Sequence, residues 1–208
     1  MVRLRLALGM LLCSLAALGA AQAPAAKPAA GTLLVATARV TSGRFHQAVV
    51  LLVTDSDKGA AGLVINQPGN TPLPRLFPHL ASAQSRTDVA FEGGPVGAKV
   101  LFCLLHMQGR LREARALLPE VYFSTSRALM ELAFNAQQPA ASFRVFQGYT
   151  GWTPGQLSRE LAAGLWTVAP ATAAIVFDPD PATLWTRLTT AASVQAFAAR
   201  RQSRSAKR

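Results

Sequence analysis

The first half of the chain is a series of short hydrophobic runs separated by turn-forming residues. GTLLVA at 31–36, FHQAVVLLVT at 45–54 and KVLFCLLH at 99–106 contain few polar positions. Runs of this kind are typical of strands that are covered on both faces. DSDKG at 55–59 is rich in turn formers, so 45–54 and the following run, AAGLVINQP, are predicted to form a β-hairpin.

Less regular segments lie between these runs. Residues 69–88 contain prolines that exclude a long helix, although LPRLFPHL has room for one helical turn. VAFEGGPVG at 89–97 predicts an edge strand that ends in a pair of glycines. QGRLREARALLP at 108–119 is predicted to be a hydrophilic connection, and EVYFST at 120–125 a further strand.

Helical patterns are concentrated in the second half of the chain. A helix is predicted after Ser124 or Ser126, because either hydroxyl can accept a hydrogen bond from the helix start. Its apolar face would consist of Leu129, Leu132 and Ala133. In DPDPATLWTRL, near the end of the chain, an acidic cap followed by proline predicts a final helix. Asp180 would be the cap and Pro181 the first helical residue, and the buried stripe would consist of Leu184, Trp185 and Leu188.

Three more segments of the second half have strand character. SFRVFQGY at 142–149 alternates between apolar and polar positions, and LWTVAP at 165–170 and AAIVFD at 173–178 are short apolar runs. Strands therefore outnumber helices, and the early strands are joined by connections too short for crossover helices. The pattern predicts an α/β or α+β fold with a mixed sheet, in a single domain at 31–198.

The N-terminal segment has the features of a cleaved export signal. Arg3 and Arg5 precede an apolar stretch that is too short to span a bilayer as a helix, and small residues follow it. Residues 1–23 are accordingly predicted to be a signal peptide, although cleavage after Ala20 or Ala21 fits as well. Residues 24–30 then form a Pro/Ala linker. A retained membrane anchor is the alternative.

The net charge of +11 is concentrated at the two ends of the chain. Of the 21 basic residues, two lie in the signal segment, one in the linker and five in the segment 199–208, which leaves 13 against 10 acidic residues. We interpret 199–208 as a disordered basic tail that could touch anionic surfaces. A basic run without interleaved aromatic residues does not predict specific nucleic-acid binding.

Few residues are suited to catalysis or metal binding. Cleavage of the signal would leave Cys103 as the remaining cysteine, and its apolar surroundings predict a buried, unreactive thiol. His46, His79 and His106 have no paired spacing, so no zinc site is predicted. No cofactor motif, such as a phosphate-binding glycine loop, is present in the sequence.

The stretch GYTGWTPGQLSREL at 148–161 has the local signals of a strand end, a glycine joint and a helix start. Thr153 is predicted to be the N-cap, Pro154 the first helical residue, and Gln156 the side chain that completes a capping box. Arg159 and Glu160 are then predicted to face water.

Several segments together resemble one family, the AlgH/YqgE-like proteins of bacteria. The resemblance runs from about residue 31 to 177 and is carried by GTLLVA, FHQAVVLLV, GAAGLVINQP, FEGGPVG, VLFCLLH, VYFSTSRALMELA and GYTGWTPGQLSREL. It implies a mixed sheet that curls towards a pseudo-barrel, and a regulatory or binding role. It supplies no catalytic residue and no cofactor.

These observations favour a non-enzymatic binding or regulatory domain that is exported to the periplasm; most of the family is cytoplasmic, which is the alternative location. The partner would be a protein or a small molecule, and the candidate surface consists of Gly93, Gly94, Gly151, Trp152 and Gln156.

Two other functions are compatible with the sequence. One is a hydrolase or transferase in which His106 acts with a distant carboxylate such as Glu92 or Glu160. The other is a nucleic-acid-binding regulator that uses the basic tail. The oligomeric state is not indicated.

Overall fold

The computed structural model describes residues 28–192. The predicted signal peptide at 1–23, the linker up to Lys27 and the basic tail at 199–208 lie outside the described residues. Within 28–192, no helix is long and apolar enough to cross a membrane.

The described residues form ten strands and six α-helices. The strands are β1 Thr32–Ala36, β2 Val49–Ser56, β3 Gly59–Val64, β4 Pro68–Pro72, β5 Val89–Glu92, β6 Val96–His106, β7 Arg115–Leu118, β8 Val121–Ser124, β9 Phe143–Trp152 and β10 Trp166–Pro170. The helices are α1 Leu73–Leu76, α2 Ala81–Gln84, α3 Arg127–Asn135, α4 Gln156–Ala162, α5 Ala173–Val176 and α6, residues 184–192, which follows a 3₁₀ turn at Pro181–Thr183.

The strands make one mixed sheet in the order β10-β1-β2-β3-β9-β6-β8-β7. β5 pairs with β4 and runs parallel to β9, whereas the other pairs are antiparallel. The sheet curls, since Leu118 of β7 and Ala169 of β10, at its two ends, pack against the same hydrophobic cluster. A side chain at Gly31 would collide with the carbonyl oxygen of Leu117. The predicted fold class, a mixed sheet curling towards a pseudo-barrel, is confirmed.

Three hydrophobic clusters stabilise the sheet. The inner face carries a cluster built from β1, β2, β3, β6 and β9, which α5 and the start of α6 cover. On the outer face, one cluster packs under α1, α2 and α3, and another packs under α4. Both faces of the central strands are thus buried, and this explains why their sequences are nearly unbroken apolar runs.

Several predicted elements are confirmed, among them the β2–β3 hairpin, the strand β10 and the single turn of helix at α1. Helix α3 begins after Ser126, whose hydroxyl accepts a hydrogen bond from the Leu129 N–H at 3.3 Å. Its buried face, however, consists of Met130, Ala133 and Phe134, while Leu132 is 62% exposed.

Other predictions were wrong because contacts with distant elements decided the structure. The run AAIVFD forms helix α5 rather than a strand: Val176 packs in the inner cluster, and the Thr172 hydroxyl caps the helix start by accepting from the Ile175 N–H. Part of the predicted hydrophilic connection is strand β7, which pairs with β8. β5 is not an edge strand, because it lies between β4 and β9.

Candidate binding surface at the β2–β3 hairpin

A bulge in β9 determines which side chains face each side of the sheet near residue 150. Gly148 has a left-handed backbone, with φ of 67°, and the extra residue shifts the alternation of the strand. As a result Phe146 and Tyr149 both pack against the inner cluster, whereas Trp152 packs against the outer one. On the facing strand, residues 97–100 bulge out between the pairs Val96↔Tyr149 and Leu101↔Gln147.

The glycine pair after β5 holds β9 in place. The Gly93 N–H donates to the Gln147 carbonyl at 2.9 Å, and the Gly93 carbonyl accepts from the Val64 N–H at 3.0 Å. A side chain at Gly93 or Gly94 would collide with the backbone of residues 148–150. These two members of the predicted surface therefore lie against β9 and bring it close to β5.

The start of α4 differs from its prediction. The helix begins at Gln156 after Gly155, which has a left-handed backbone, so Pro154 is not the first helical residue. The Gln156 side chain does reach back: its Oε1 accepts from the Thr153 N–H at 3.0 Å and from the Thr153 hydroxyl at 3.1 Å. The Thr153 hydroxyl makes no capping hydrogen bond to the helix.

Glu160 does not face water as the sequence predicts. Its Oε2 accepts hydrogen bonds from the indole N–H groups of Trp152 at 2.8 Å and Trp166 at 2.7 Å, and its Oε1 accepts from Gln156 Nε2 at 2.9 Å. The two indole rings meet edge to face, 5.9 Å apart. We call this set of four side chains the Glu160 clamp; it joins α4 to β9 and β10.

Two cavities lie on opposite sides of the β2–β3 hairpin. The first, the hairpin cavity, has a volume of about 490 Å³ and is lined by Thr54, Lys58, Ala61, Val96, Tyr149, Gly151 and Trp152, among others. The second has a volume of about 460 Å³ and is lined by Asp55, Asp57, Thr153 and Ser158, among others. Lys58 lines one cavity and Asp55 and Asp57 line the other. Asp55 lies on the face opposite that of Thr54 because side chains alternate along β2, and Asp57 and Lys58 form the turn.

The predicted surface residues take different positions relative to the hairpin cavity. Gly151 and Trp152 line it; Gly151 is exposed, whereas the Trp152 side chain is buried in the cluster on the outer face of the sheet. Gln156 does not line the cavity but belongs to the Glu160 clamp on that outer face, and Gly93 and Gly94 lie against the neighbouring backbone of β9. Lys58, Tyr149 and Val96 line the cavity but were missed, because no local pattern distinguishes them from ordinary turn and strand residues.

His106 lies elsewhere in the fold, at the end of β6. Its Nε2 is 3.6 Å from Oε2 of Glu120, and its ring stacks on Phe177 with centroids 5.7 Å apart. Neither carboxylate that the sequence suggested is its partner: Glu92 pairs with Arg44 at 3.5 Å, and Glu160 is held by the two indoles.

Cys103 is fully buried in β6, and burial raises the pKa of its thiol to about 12. The prediction that this thiol is buried is confirmed. Within residues 28–192, no group of three or more His, Cys, Asp or Glu side chains comes together in a way that could hold a metal ion.

A buried charged pair was also missed. The Arg144 guanidinium lies over the ring of Phe91, 4.8 Å from its centroid, and Nη1 donates to the Val176 carbonyl at 3.0 Å. Burial lowers the pKa of Arg144 to about 10, against the opposing effect of Asp178. Burial also tends to raise the pKa of Asp178, but the hydrogen bonds and charges around it, chiefly those of Arg187, hold it below its ordinary value. The pair fastens β9 to the segment that covers the inner cluster.

Comparison with known proteins gives a consistent family. The family model described as AlgH-like, DUF179, matches residues 33–196. A UPF0301 protein of Methylococcus capsulatus is 34% identical over 158 residues, which cover 74% of this chain and 86% of that protein. A UPF0301 protein of Myxococcus xanthus is 36% identical over 157 residues, covering 74% and 84%.

Two solved structures have the same fold. The solution structure of the AlgH protein from Pseudomonas aeruginosa superimposes with a TM-score of 0.62 at 31% identity, over 78% of this chain and 86% of that one. A crystal structure of a protein from Corynebacterium diphtheriae superimposes with a TM-score of 0.67 at 23% identity, over the same shares of the two chains.

Proposed function

This chain belongs to the AlgH-like family, and from that premise we propose that it is a non-enzymatic binding or regulatory domain whose partner occupies the hairpin cavity. The observation that carries the proposal is the composition of this cavity. An apolar lining that includes Ala61, Val96 and Tyr149 is bordered by polar groups of Thr54 and Lys58. A volume of about 490 Å³ lies in the range typical of ligand sites.

The roles of the residues in the stretch 148–161 support binding rather than catalysis. Gly148 and Gly155 have left-handed backbones that direct β9 and start α4, and the carboxylate of Glu160 is occupied by the two indoles and Gln156. The stretch 148–161 thus anchors Trp152 in the outer cluster and holds Tyr149 in position on the other face of β9. A preorganised apolar surface of this kind reduces the entropy lost when a partner binds.

The export signal predicted at 1–23 completes the proposal. We infer that the mature protein acts in the periplasm and meets its partner there. The alternative is a cytoplasmic protein that acts in the same way; the binding surface is common to both locations.

The partner can be captured in living cells by a probe that reacts with whatever species occupies the cavity. A photo-reactive benzoyl-phenylalanine in place of Lys58, on the rim of the hairpin cavity, is expected to yield a discrete covalent adduct on illumination. The same amino acid in place of Arg75, which is exposed on α1 and lines neither hairpin-side cavity, serves as the control. Combining the probe at Lys58 with Ala61→Trp, which fills the cavity, should abolish the adduct.

Mass spectrometry of the adduct then identifies the bound species. Equal adducts from the Lys58 and Arg75 positions, or an adduct that persists in the Ala61→Trp background, would show that the hairpin cavity is not the binding site.

A further inference from the structure

The apolar surface at the hairpin continues beyond the cavity itself. Val96 lines the cavity and is 41% exposed, and Val100, in the neighbouring bulge, is 45% exposed. Gly97 lies next to both Val100 and Tyr149, because a side chain placed there would meet Val100 Cγ2 and the ring of Tyr149. Exposed large side chains of this kind, grouped beside a cavity, are typical of interaction sites. A ligand confined to the cavity would leave Val100 uncovered.

The backbone of β9 is accessible at the same place. β3 pairs with one edge of β9 up to Trp152, but the pairing with β6 on the other edge ends at Val96↔Tyr149. Gly151 therefore has no strand beside it on the β6 side within the described residues, and it is exposed and carries no side chain. A glycine in such a position permits the close approach of another main chain.

The charges around this surface have one sign. Lys58 lines the hairpin cavity, and Lys99 lies in the exposed bulge with Val96 and Val100. Neither lysine forms an ion pair with another described residue. Asp55 and Asp57 line the cavity on the opposite side of the hairpin and do not line this one.

We propose that the partner of the hairpin cavity is an extended acidic peptide segment with interspersed apolar side chains. Its apolar side chains would cover Tyr149, Val96 and Val100, its main chain would approach Gly151, and its carboxylates would pair with Lys58 and Lys99. Addition of an extended segment beside a strand is a common mode of peptide recognition. This inference rests on the proposed function and names its partner class.

The test uses a fluorescein-labelled peptide of about eight residues in which Glu alternates with Val and Phe, long enough to span roughly 26 Å when extended. Its binding to the protein is measured by fluorescence anisotropy at low and high salt. The Lys58→Glu and Lys99→Glu variants should each weaken binding about tenfold, because like charges then face each other. Arg75→Glu, with the same change of charge on α1, should leave the affinity unchanged. Circular dichroism verifies that each variant is folded.

The outcomes separate this inference from the proposed function. Equal binding of a peptide with Lys in place of Glu, or equal losses from Lys58→Glu and Arg75→Glu, would overturn the acidic peptide as partner. So would the absence of peptide binding while the photo-adduct at the Lys58 position persists and is blocked by Ala61→Trp; in that case the proposed site stands with a different partner. Loss of both signals would refute the two proposals together.

Discussion

Glu160 accepts hydrogen bonds from side chains on three elements, β9, α4 and β10. An indole N–H can only donate, so each tryptophan needs an acceptor when its ring is buried. The carboxylate supplies that acceptor for both rings at once, through the same oxygen atom. Trp152, Gln156 and Glu160 therefore act together to hold α4 against β9 and β10.

Replacement of Glu160 should lower the free energy of unfolding. Glu160→Gln is expected to cost about 1–2 kcal/mol: if the new carbonyl oxygen accepts from the two indoles, the NH2 group that replaces Oε1 cannot accept from Gln156. Glu160→Ala is expected to cost about 2–4 kcal/mol, because both indole N–H groups lose their acceptor. Urea unfolding followed by tryptophan fluorescence measures both changes. Glu131→Gln is the control: Glu131 pairs with Arg127 on the surface of α3, and its replacement should cost less than about 0.5 kcal/mol. Similar losses for Glu131→Gln and Glu160→Gln would contradict the role of the clamp.

Gly148 shifts the alternation of side chains between the two faces of β9. The sequence SFRVFQGY alternates correctly as far as Phe146 but cannot show that Tyr149 lies on the same face as Phe146. Tyr149 reaches that face because the residue before it, Gly148, has φ of 67° in the middle of the strand. Glycine adopts this backbone without steric cost. Tyr149 therefore lies on the inner face with Phe146, and Trp152, three residues further along the strand, lies on the outer face.

Gly148→Ala should destabilise the protein more than replacement of another glycine with similar φ. The new Cβ would collide with the carbonyl oxygens of Gly94 and Val96, so we expect a loss of about 3 kcal/mol or more from collision and left-handed backbone together. Gly43→Ala is the matched control, since Gly43 has φ of 80° with open space around it, and should cost about 1 kcal/mol. Chemical denaturation compares the two. Equal losses would indicate that β9 relaxes around the new side chain.

At the scale of the whole molecule, Arg144 and Asp178 join the sheet to the segment that covers its inner face. Arg144 donates to the carbonyls of Val176 and Asp178, and the Asp178 carboxylate pairs with Arg187 of α6 at 2.7 Å. Because the contacts link β9 to α5 and α6, they help to close the pseudo-barrel.

The stability of the protein should therefore depend on the ionisation of Asp178. Its pKa in the folded protein lies below the ordinary value of 3.8, so its contribution is fully present above pH 3.8 and is lost as the pH decreases through the folded pKa. Asp178→Asn should cost about 2 kcal/mol at pH 7, and the difference from the wild type should become smaller below pH 3.8. Thermal unfolding between pH 2.5 and 7 measures it, with Asp57→Asn in the exposed hairpin turn as control. A difference that stays constant down to pH 2.5 would be inconsistent with this assignment.

Export also concerns the whole molecule. Because residues 1–23 have the n-region, apolar stretch and small residues of a signal peptide, the mature protein should be recovered from the periplasm with an N-terminus between Ala21 and Ala26. Cell fractionation with N-terminal sequencing measures this. Recovery of an intact chain beginning at Met1 in the cytosol would support the alternative location.

Much of the fold could be predicted from the sequence, but only part of the candidate surface. The motif identified Gly151, Trp152 and Gln156, whereas Lys58 and Val96 carry no local signal of binding. They reach the cavity because β3 and β6 flank β9, and strand order depends on pairings between residues far apart in the chain. The same reason accounts for β7, a four-residue strand in a segment predicted to be a connection, which is stabilised by pairing with β8.

Periodicity, turn chemistry and motif order are local properties of the chain, so the sequence was enough to predict most strand runs, the β2–β3 turn, a serine cap for α3 and the family. The contacts of Glu160 with two indoles, the helical state of AAIVFD, and an apolar surface whose two lysines form no ion pair with another described residue became visible in the fold. These features depend on the register of β9 and on contacts between elements distant in sequence. Such contacts form only when the curled sheet brings the elements together.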